Sequence, residues 1–452
     1  MTTMNFTIPT ALILIVAGLV FPTATLGASD ANKPKSGALA ALPSNHSYFQ
    51  DATGKPLMLV GDYTWGIFSD LDYEYVRFLD AQKARGLNFA RIWLWWGAEQ
   101  LDWEILGAKT IGPYMRTGPG LANDGKPKYD LTKFNPAFFE RLVDLCKQAH
   151  KRGIYLHLII MDGWMLKHEK LWNVHAYNRD NNINGVDGDP ANTGTGRDGE
   201  KGICSLGNPK CMEFQKAYYR KVVDTVNGFE DIYFEMANEN PYNDWDLALC
   251  DYIKEYEKSK PKQHLTMPRD LPDHSSVVQR WDPMIVHKGM LERRSLNQPL
   301  IFDTDWTINK NDDEVRKAVW AGVISGGSFD YMDECLPFRT KPEEDKRAVI
   351  HKQIDYMAAF VKKIKPWEMS PDDSLVKSGT AFALASSKEL AAYFPNGGSA
   401  TLDLAKLNGA LKARWYNPLD GKFGEAFKVQ GGDQVDFKAP SEGDWALLVK
   451  RG

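Results

Sequence analysis

Cysteine is scarce in this chain, with five in 452 residues. They lie at positions 146, 204, 211, 250 and 335, so no disulfide scaffold can hold the fold. The odd number leaves at least one thiol unpaired within the chain, while Cys204 and Cys211 could close a small loop. An excess of either charge is also missing. Lys and Arg total 55 against 59 Asp and Glu, a net charge of −4, and nothing in that balance points to nucleic acid or an anionic membrane. No HExxH or paired CxxC occurs, so no zinc centre is expected, and no GxSxG elbow offers a nucleophilic serine. The run Leu57–Asp62 has no HxH such as metal-dependent barrel hydrolases carry. Gly194-Thr-Gly196-Arg-Asp-Gly199 matches GxGxxG, but it lies in a polar loop with no strand before it, which excludes dinucleotide binding. Asp180-Asn-Asn182-Ile-Asn184-Gly185 begins like a calcium loop, yet its twelfth position is Ala191 where a bidentate Glu is needed. No cofactor and no metal are expected.

Long apolar runs are limited to one, Ala11 to Phe21, too short to span a bilayer with confidence. Pro22 and small residues to Ala28 follow it. The expectation is a signal peptide over 1–28, a linker over 29–43 and a secreted or periplasmic chain with no membrane contact after cleavage. No Lys or Arg precedes the run, and an uncleaved anchor is the alternative.

What is present is apolar and aromatic. Hydrophobic residues make up 43%, enough for a large core, and there are 14 Trp. Many of these must be core; a surplus is what a cleft that stacks sugar rings would use.

From residue 57 a strand–helix rhythm begins. Strands are expected at Leu57–Asp62, Asn88–Trp95, Ile154–Asp162, Ile232–Glu239, Leu300–Asp305 and Ser328–Asp333, with weaker ones at His264–Met267 and Met284–His287. Helices are expected from Tyr73 to Arg85, stopped at Gly86, and from Asn135-Pro136 to Lys151, stopped at Gly153. Others run over Phe214–Val226, Asp313–Ile324 and His351–Lys365. About eight such units predict a closed (β/α)8 TIM barrel over 44–368, with an open doubly wound sheet as the alternative. Residues 369–452 change character. Turn signals at Pro395-Asn-Gly-Gly, Asn417-Pro-Leu-Asp-Gly421 and Gly431-Gly-Asp433 separate short alternating strands, which predicts an all-β sandwich.

The segment Asp231-Ile-Tyr-Phe-Glu-Met-Ala-Asn-Glu239-Asn-Pro241 carries the most chemistry. It reads as a buried strand that delivers Asn238 and Glu239 at its C-terminal end. Such a pair suits glycosidic bonds: the acid protonates the bridging oxygen and the amide holds a neighbouring hydroxyl. Barrel enzymes gather catalytic groups at that end of the strands. Polar residues collect there in this chain: Asp62, Arg91, Asp162, Asn238, Glu239, Asp303, Asp305 and Asp333. Trp65, Trp164 and Trp306 follow strand ends directly and are the best stacking candidates. His157 sits mid-strand and is weighed as a core histidine as well as a subsite residue.

This run of strands resembles the clan A glycoside hydrolase barrels, which carry Asn-Glu at the end of strand four and a second carboxylate at the end of strand seven. Asn238-Glu239 matches the first, and Asp303-Thr-Asp305-Trp306 falls where the second belongs, with Asp where Glu is usual. The chain also resembles the bacterial apiosidase-like, cellulase-like proteins. The shared features are Gly61-Asp62-Tyr63-Thr64-Trp65, Asp303 to Trp306, Met332-Asp333, and a C-terminal β module with Lys412-Ala-Arg-Trp415-Tyr-Asn-Pro418-Leu-Asp-Gly421 and Gly443-Asp444-Trp445. That module is labelled collagen-binding in the family, although nothing in its residues indicates collagen.

The resemblance implies a glycosidase acting on a carbohydrate substrate by a retaining mechanism. Glu239 is the expected acid/base, its pKa raised by partial burial and a neighbouring carboxylate. Asp305 is the expected nucleophile and Asp303 its alternate, because strand alternation turns both to one side. Arg91 would orient the nucleophile, and Asn238 would contact the sugar hydroxyl beside the reacting carbon. Asp62, Trp65, His157, Asp162, Trp164, Trp306 and Asp333 are candidate substrate contacts, and a monomer is expected. The competing reading is a non-catalytic carbohydrate-binding surface protein on a degenerate barrel. The insertions at 97–134 and 165–212 are expected to wall a pocket.

Overall fold

The computed structural model describes residues 34–96, 109–197, 200–240, 243–272, 282–304, 310–333, 338–339 and 347–451. The proposed signal peptide, Asp305, Trp306 and Cys335 lie outside them, as do 97–108 of the first insertion.

Seven parallel strands form one curled sheet. In chain order they are β1 (Val60–Tyr63), β2 (Phe89–Trp93), β3 (Tyr155–Asp162), β4 (Ile232–Asn238), β5 (Thr266–Met267), β6 (Ile301–Asp303) and β7 (Ser328–Met332). The spatial order is β5-β4-β3-β2-β1-β7-β6, so the last strands return to pair beside the first. That return closes most of a ring, as in a TIM barrel. Among the described residues the longer helices that follow the strands are α1 (Tyr75–Arg85), α2 (Pro136–Arg152), α3 (Pro209–Val226), α4 (Asp244–Glu257), α5 (Pro283–Arg294), α6 (Asp312–Ile324) and α7 (Ala348–Val361).

The helix boundaries follow from the sequence. Asn135 caps α2 by accepting from the Ala137 N–H, Pro136 stands at the first helical position, and Gly153 ends the helix in the left-handed region. Asn243 and Asp246 form a reciprocal capping box on α4. One expected strand is corrected: Met284–His287 lies inside α5. Asp282 accepts from the Met284 and Ile285 N–H groups and Pro283 follows it, a helix start that outweighs the apolar Met-Ile-Val run.

Helix α3 fixes the floor of the site. Tyr218 Oη donates to the Ile160 carbonyl (3.2 Å) and Tyr219 Oη to the Met236 carbonyl (2.7 Å), so β3 and β4 are held from outside by one helix face. Side-chain amides tie the insertion after β3. Asn182 Nδ2 donates to the carbonyls of Ala176, Asn178 and Val186, and Asn184 Oδ1 accepts from the Leu131 N–H. The proposed Cys204–Cys211 bridge is not formed, and both side chains are buried. Cys211 sits in the first turn of α3, with Sγ facing the Asp187 carbonyl, so its direction is set by the helix.

From Ser370 onward the chain forms two antiparallel sheets, of seven and three strands. Ala400, Leu402 and Phe437 of the smaller sheet share one buried cluster with Leu390, Ala392, Leu447 and Val449 of the larger, which makes a sandwich. Trp415 belongs to this core. The sandwich docks on α6: Trp320 stacks on Tyr393 (5.6 Å, 14°), and the buried Arg316 pairs with Asp444 at 2.7 Å.

Candidate active site

At the C-terminal end of the sheet one guanidinium gathers four elements. Arg91, 5% exposed on β2, donates through Nη1 to Asp303 Oδ2 on β6 (2.7 Å) and through Nη2 to Asn238 Oδ1 on β4 (2.6 Å). Nη1 also meets Tyr63 Oη on β1 at 3.2 Å, and Nη2 meets Glu235 Oε2 at 3.3 Å. Tyr63 Oη donates to Asp303 Oδ1 (2.9 Å), so both oxygens of that carboxyl are engaged. Below this, His157 Nε2 stands 2.9 Å from Glu235 Oε2, and its ring stacks on Tyr233 at 4.3 Å. Asp330 on β7, fully buried, is paired in register with Asp303.

The electrostatics follow from counting charges in a dry barrel. Glu235, Asp303 and Asp330 are three buried carboxyls around a single guanidinium. Burial pushes the Asp303 carboxyl above its ordinary range, with Glu235 adding to the rise, against Arg91 and the hydrogen bonds with Tyr63 and Asp330. Burial and then Arg91 push His157 well below the usual histidine range, so it is a neutral hydrogen-bonding ring. At 0% exposure His157 lies beneath the cleft and cannot contact substrate, which corrects its place among the expected contacts.

Glu239 follows β4 and sits apart from this network. Its backbone is left-handed (φ 49°), uncommon for a residue with a side chain, and such outliers cluster at functional sites. Its carboxylate is 29% exposed and accepts from Lys167 Nζ at 2.8 Å. This ammonium is supplied by the turn after β3.

The backbone around Glu239 is clamped. Gly163 N and Trp164 N both donate to the Asn238 carbonyl, at 2.8 and 3.2 Å. A Cβ on Gly163 would lie 2.8 Å from that oxygen and 3.1 Å from Asn240 N, so only glycine allows the approach. On the far side Asn240 Nδ2 donates to Asp246 Oδ2 (2.6 Å), which also accepts from Asn243 N (2.9 Å). Burial pushes the Asp246 carboxyl up to about 7. The unfolded value is about 3.9, so ionising Asp246 costs more in the folded state. Its penalty is absent below about pH 4, grows as pH rises through 7 and then stays constant, on the order of 4 kcal/mol in all. Wild type is therefore expected to lose stability relative to Asp246→Asn between pH 5 and pH 8 in urea unfolding. A stability gap that does not change with pH would disprove this titration.

The other expected contacts divide. Trp164 is half-buried and lies at the outer end of a parallel stack with Trp95 (5.6 Å) and Trp93 (5.0 Å from Trp95). Trp65 is half-buried against the same core. Asp162 ends β3 in register with Asn238. Asp62 turns away from the lumen: Arg85 and Gln82 of α1 hold its carboxylate, and Gln82 Nε2 also donates to its carbonyl (2.7 Å). Alternation explains this, since its neighbour Tyr63 faces inward. Asp333 Oδ2 faces His351 Nε2 of α7 at 3.3 Å. Both aspartates thus have a partner on a helix outside the sheet. The sequence reading missed Tyr63, Glu235, Asp330 and Lys167 as site residues. Among the described residues no three His, Cys, Asp or Glu side chains gather as metal ligands.

Comparison with known proteins follows the geometry. Residues 43–184 match the family model described as "Apiosidase-like, catalytic domain", and residues 371–450 match "Putative collagen-binding domain of a collagenase". The first match covers β1 to β3 and ends before Asn238. No curated protein matches the chain in sequence. One solved structure, named "Glycoside hydrolase", has a TM-score of 0.63 at 16% identity, over 94% of this chain and 98% of that one. A glycoside hydrolase family 5 protein from Bacteroides vulgatus has a TM-score of 0.61 at 16% identity, over 92% of this chain and 94% of its own. At such identities the shared property is the fold. An apiosidase-like catalytic domain is found, and the barrel-plus-sandwich fold is that of proteins named as glycoside hydrolases.

Proposed function

We propose that the protein is a secreted, monomeric glycosidase that cleaves a poly- or oligosaccharide with retention, using Glu239 as acid/base and Asp305 as nucleophile. The observation that carries this reading is the Arg91 bridge between Asn238 and Asp303, which ties the Asn-Glu strand end to the second aspartate-bearing strand end. Protonated Glu239 would give its proton to the glycosidic oxygen as the C–O bond breaks toward that oxygen, while a carboxylate of the β6 end bonds to the anomeric carbon. Water, deprotonated by Glu239, would then displace the carboxylate and restore the enzyme.

Asp303 is the weaker nucleophile candidate. It is 1% exposed, both its oxygens are hydrogen-bonded, and burial favours its protonated form. A nucleophile must be ionised and must reach the sugar. Asp303 then serves to hold Arg91, and Asp305, two residues on and outside the described residues, takes the covalent role. Trp164 is the proposed stacking platform, with Asn238 on the adjacent hydroxyl. Azide added to Asp305→Ala, with an aryl glycoside of the cleaved sugar, is expected to yield a glycosyl azide of inverted configuration. Formation of that azide by Asp303→Ala instead would transfer the covalent role to Asp303.

A further inference from the structure

The left-handed backbone of Glu239 needs something to hold it, since an isolated residue of this type prefers other conformations. Three groups meet around it. The Gly163 and Trp164 N–H groups fix the carbonyl before it, and Arg197 Nη1 lies 3.5 Å from its own carbonyl. The residue after it, Asn240, is 4% exposed and reaches Asp246 Oδ2 at 2.6 Å. Asp246 is fully buried, and its Oδ1 has no hydrogen-bond partner among the described residues. A carboxylate in such a place is more than a helix cap requires. Asn243 supplies the Ncap acceptor for α4 already, and an exposed Asp or Glu would complete the capping box without the cost of burial.

We propose that Asp246, acting through Asn240, is a positioning residue that holds Glu239 in the geometry needed for proton donation. The inference rests on Glu239 being the acid/base. The chain of contacts is short: Asp246 sits on the rigid first turn of α4, whose Trp245 is buried and donates to Gln215 Oε1 of α3 at 3.0 Å. The same α3 carries Tyr219, which holds the β4 carbonyl at Met236. Glu239 is therefore spanned by two points referenced to one helix, β4 before it and Asn240 after it. Loss of the Asn240–Asp246 bond would free the downstream point and leave the upstream one intact. The carboxyl would then move relative to a substrate still held by the rest of the cleft, and misplacement by about 1 Å can cost a hundredfold in rate.

The test separates proton donation from folding by leaving-group chemistry. A dinitrophenolate leaves without protonation, whereas a phenolate needs the acid. Wild type, Asp246→Ala, Asp246→Asn, Asn240→Ala and Glu239→Gln are compared on the 2,4-dinitrophenyl and phenyl glycosides of the sugar that wild type releases. Asn240→Ala and Asp246→Ala are expected to lose about thirtyfold or more in kcat on the phenyl glycoside. On the dinitrophenyl glycoside their loss of kcat/KM, which reports formation of the glycosyl-enzyme and not the later step in which Glu239 acts as base, is expected to stay within about threefold. Asp246→Asn keeps an acceptor for Asn240 and is expected to recover most of the phenyl activity. Equal losses on both substrates, or no loss in Asn240→Ala, would overturn the positioning role while Glu239→Gln still shows the leaving-group pattern. Should Glu239→Gln itself show no such pattern, the acid/base reading falls and the inference falls with it. If Asp246→Ala does not fold, Asn240→Ala decides, because it leaves the capping box of α4 in place.

Discussion

Glu239→Gln is expected to lower kcat/KM on a phenyl glycoside by about a hundredfold or more, at least 2.7 kcal/mol of transition-state stabilisation. Stability should scarcely move. The Glu239 carboxylate is 29% exposed, its ion pair among the described residues is with a 33%-exposed Lys167, and such surface pairs contribute about 0–1 kcal/mol. Activity and stability therefore separate at this residue. A variant that keeps more than about a tenth of wild-type kcat/KM has lost less than about 1.4 kcal/mol, and the acid role would then be wrong. A large fall in melting temperature would equally contradict the picture of Glu239 as a lightly held group at the cleft surface.

The opposite pattern is expected at Arg91. Its guanidinium is the cation that Glu235, Asp303 and Asp330 share, and all of these side chains are buried. Arg91→Met would fill most of the same volume but leave those carboxyls without their shared cation. Removing one partner of a buried ion pair typically costs about 3–5 kcal/mol. The loss should be visible as a lowered urea midpoint at pH 7 and should shrink at acid pH, where the carboxyls take up protons and the uncompensated charge disappears. Activity would fall as well, because Asn238 loses the 2.6 Å bond that orients its amide. A variant as stable as wild type at pH 7 would show that the network does not carry the charge assigned to it.

Much of the barrel could be read from alternation and caps. The strand ending in Asn238-Glu239 and the helix opened by Asn135-Pro136 both stand where those signals put them. The end of the sheet was harder. Met284-Ile-Val-His287 reads as a short apolar strand in isolation, yet Asp282-Pro283 just before it is a helix start, and the start decides. The buried network was legible in principle. Arg91, His157, Glu235 and Asp330 each interrupt an apolar strand at an interior position, and charged residues there need partners. Read one strand at a time they look like isolated exceptions; only the sheet order sets them side by side. The helix contacts of Asp62 and Asp333 were hidden for a related reason. Proximity to a strand end does not fix which face a side chain takes, and both face helices. Lys167 carried no signal, because its approach to Glu239 depends on a turn more than seventy positions earlier, brought close by β3 pairing with β4.

The measurement that reaches the central claim most directly is sugar release by the full chain from a panel of aryl glycosides and plant polysaccharides, followed by chromatography beside Glu239→Gln. Release by wild type from at least one substrate, abolished in the variant, is the predicted result. Retention of sugar by wild type in calorimetric titrations, with no release from any substrate, would contradict the account and leave a carbohydrate-binding barrel in its place.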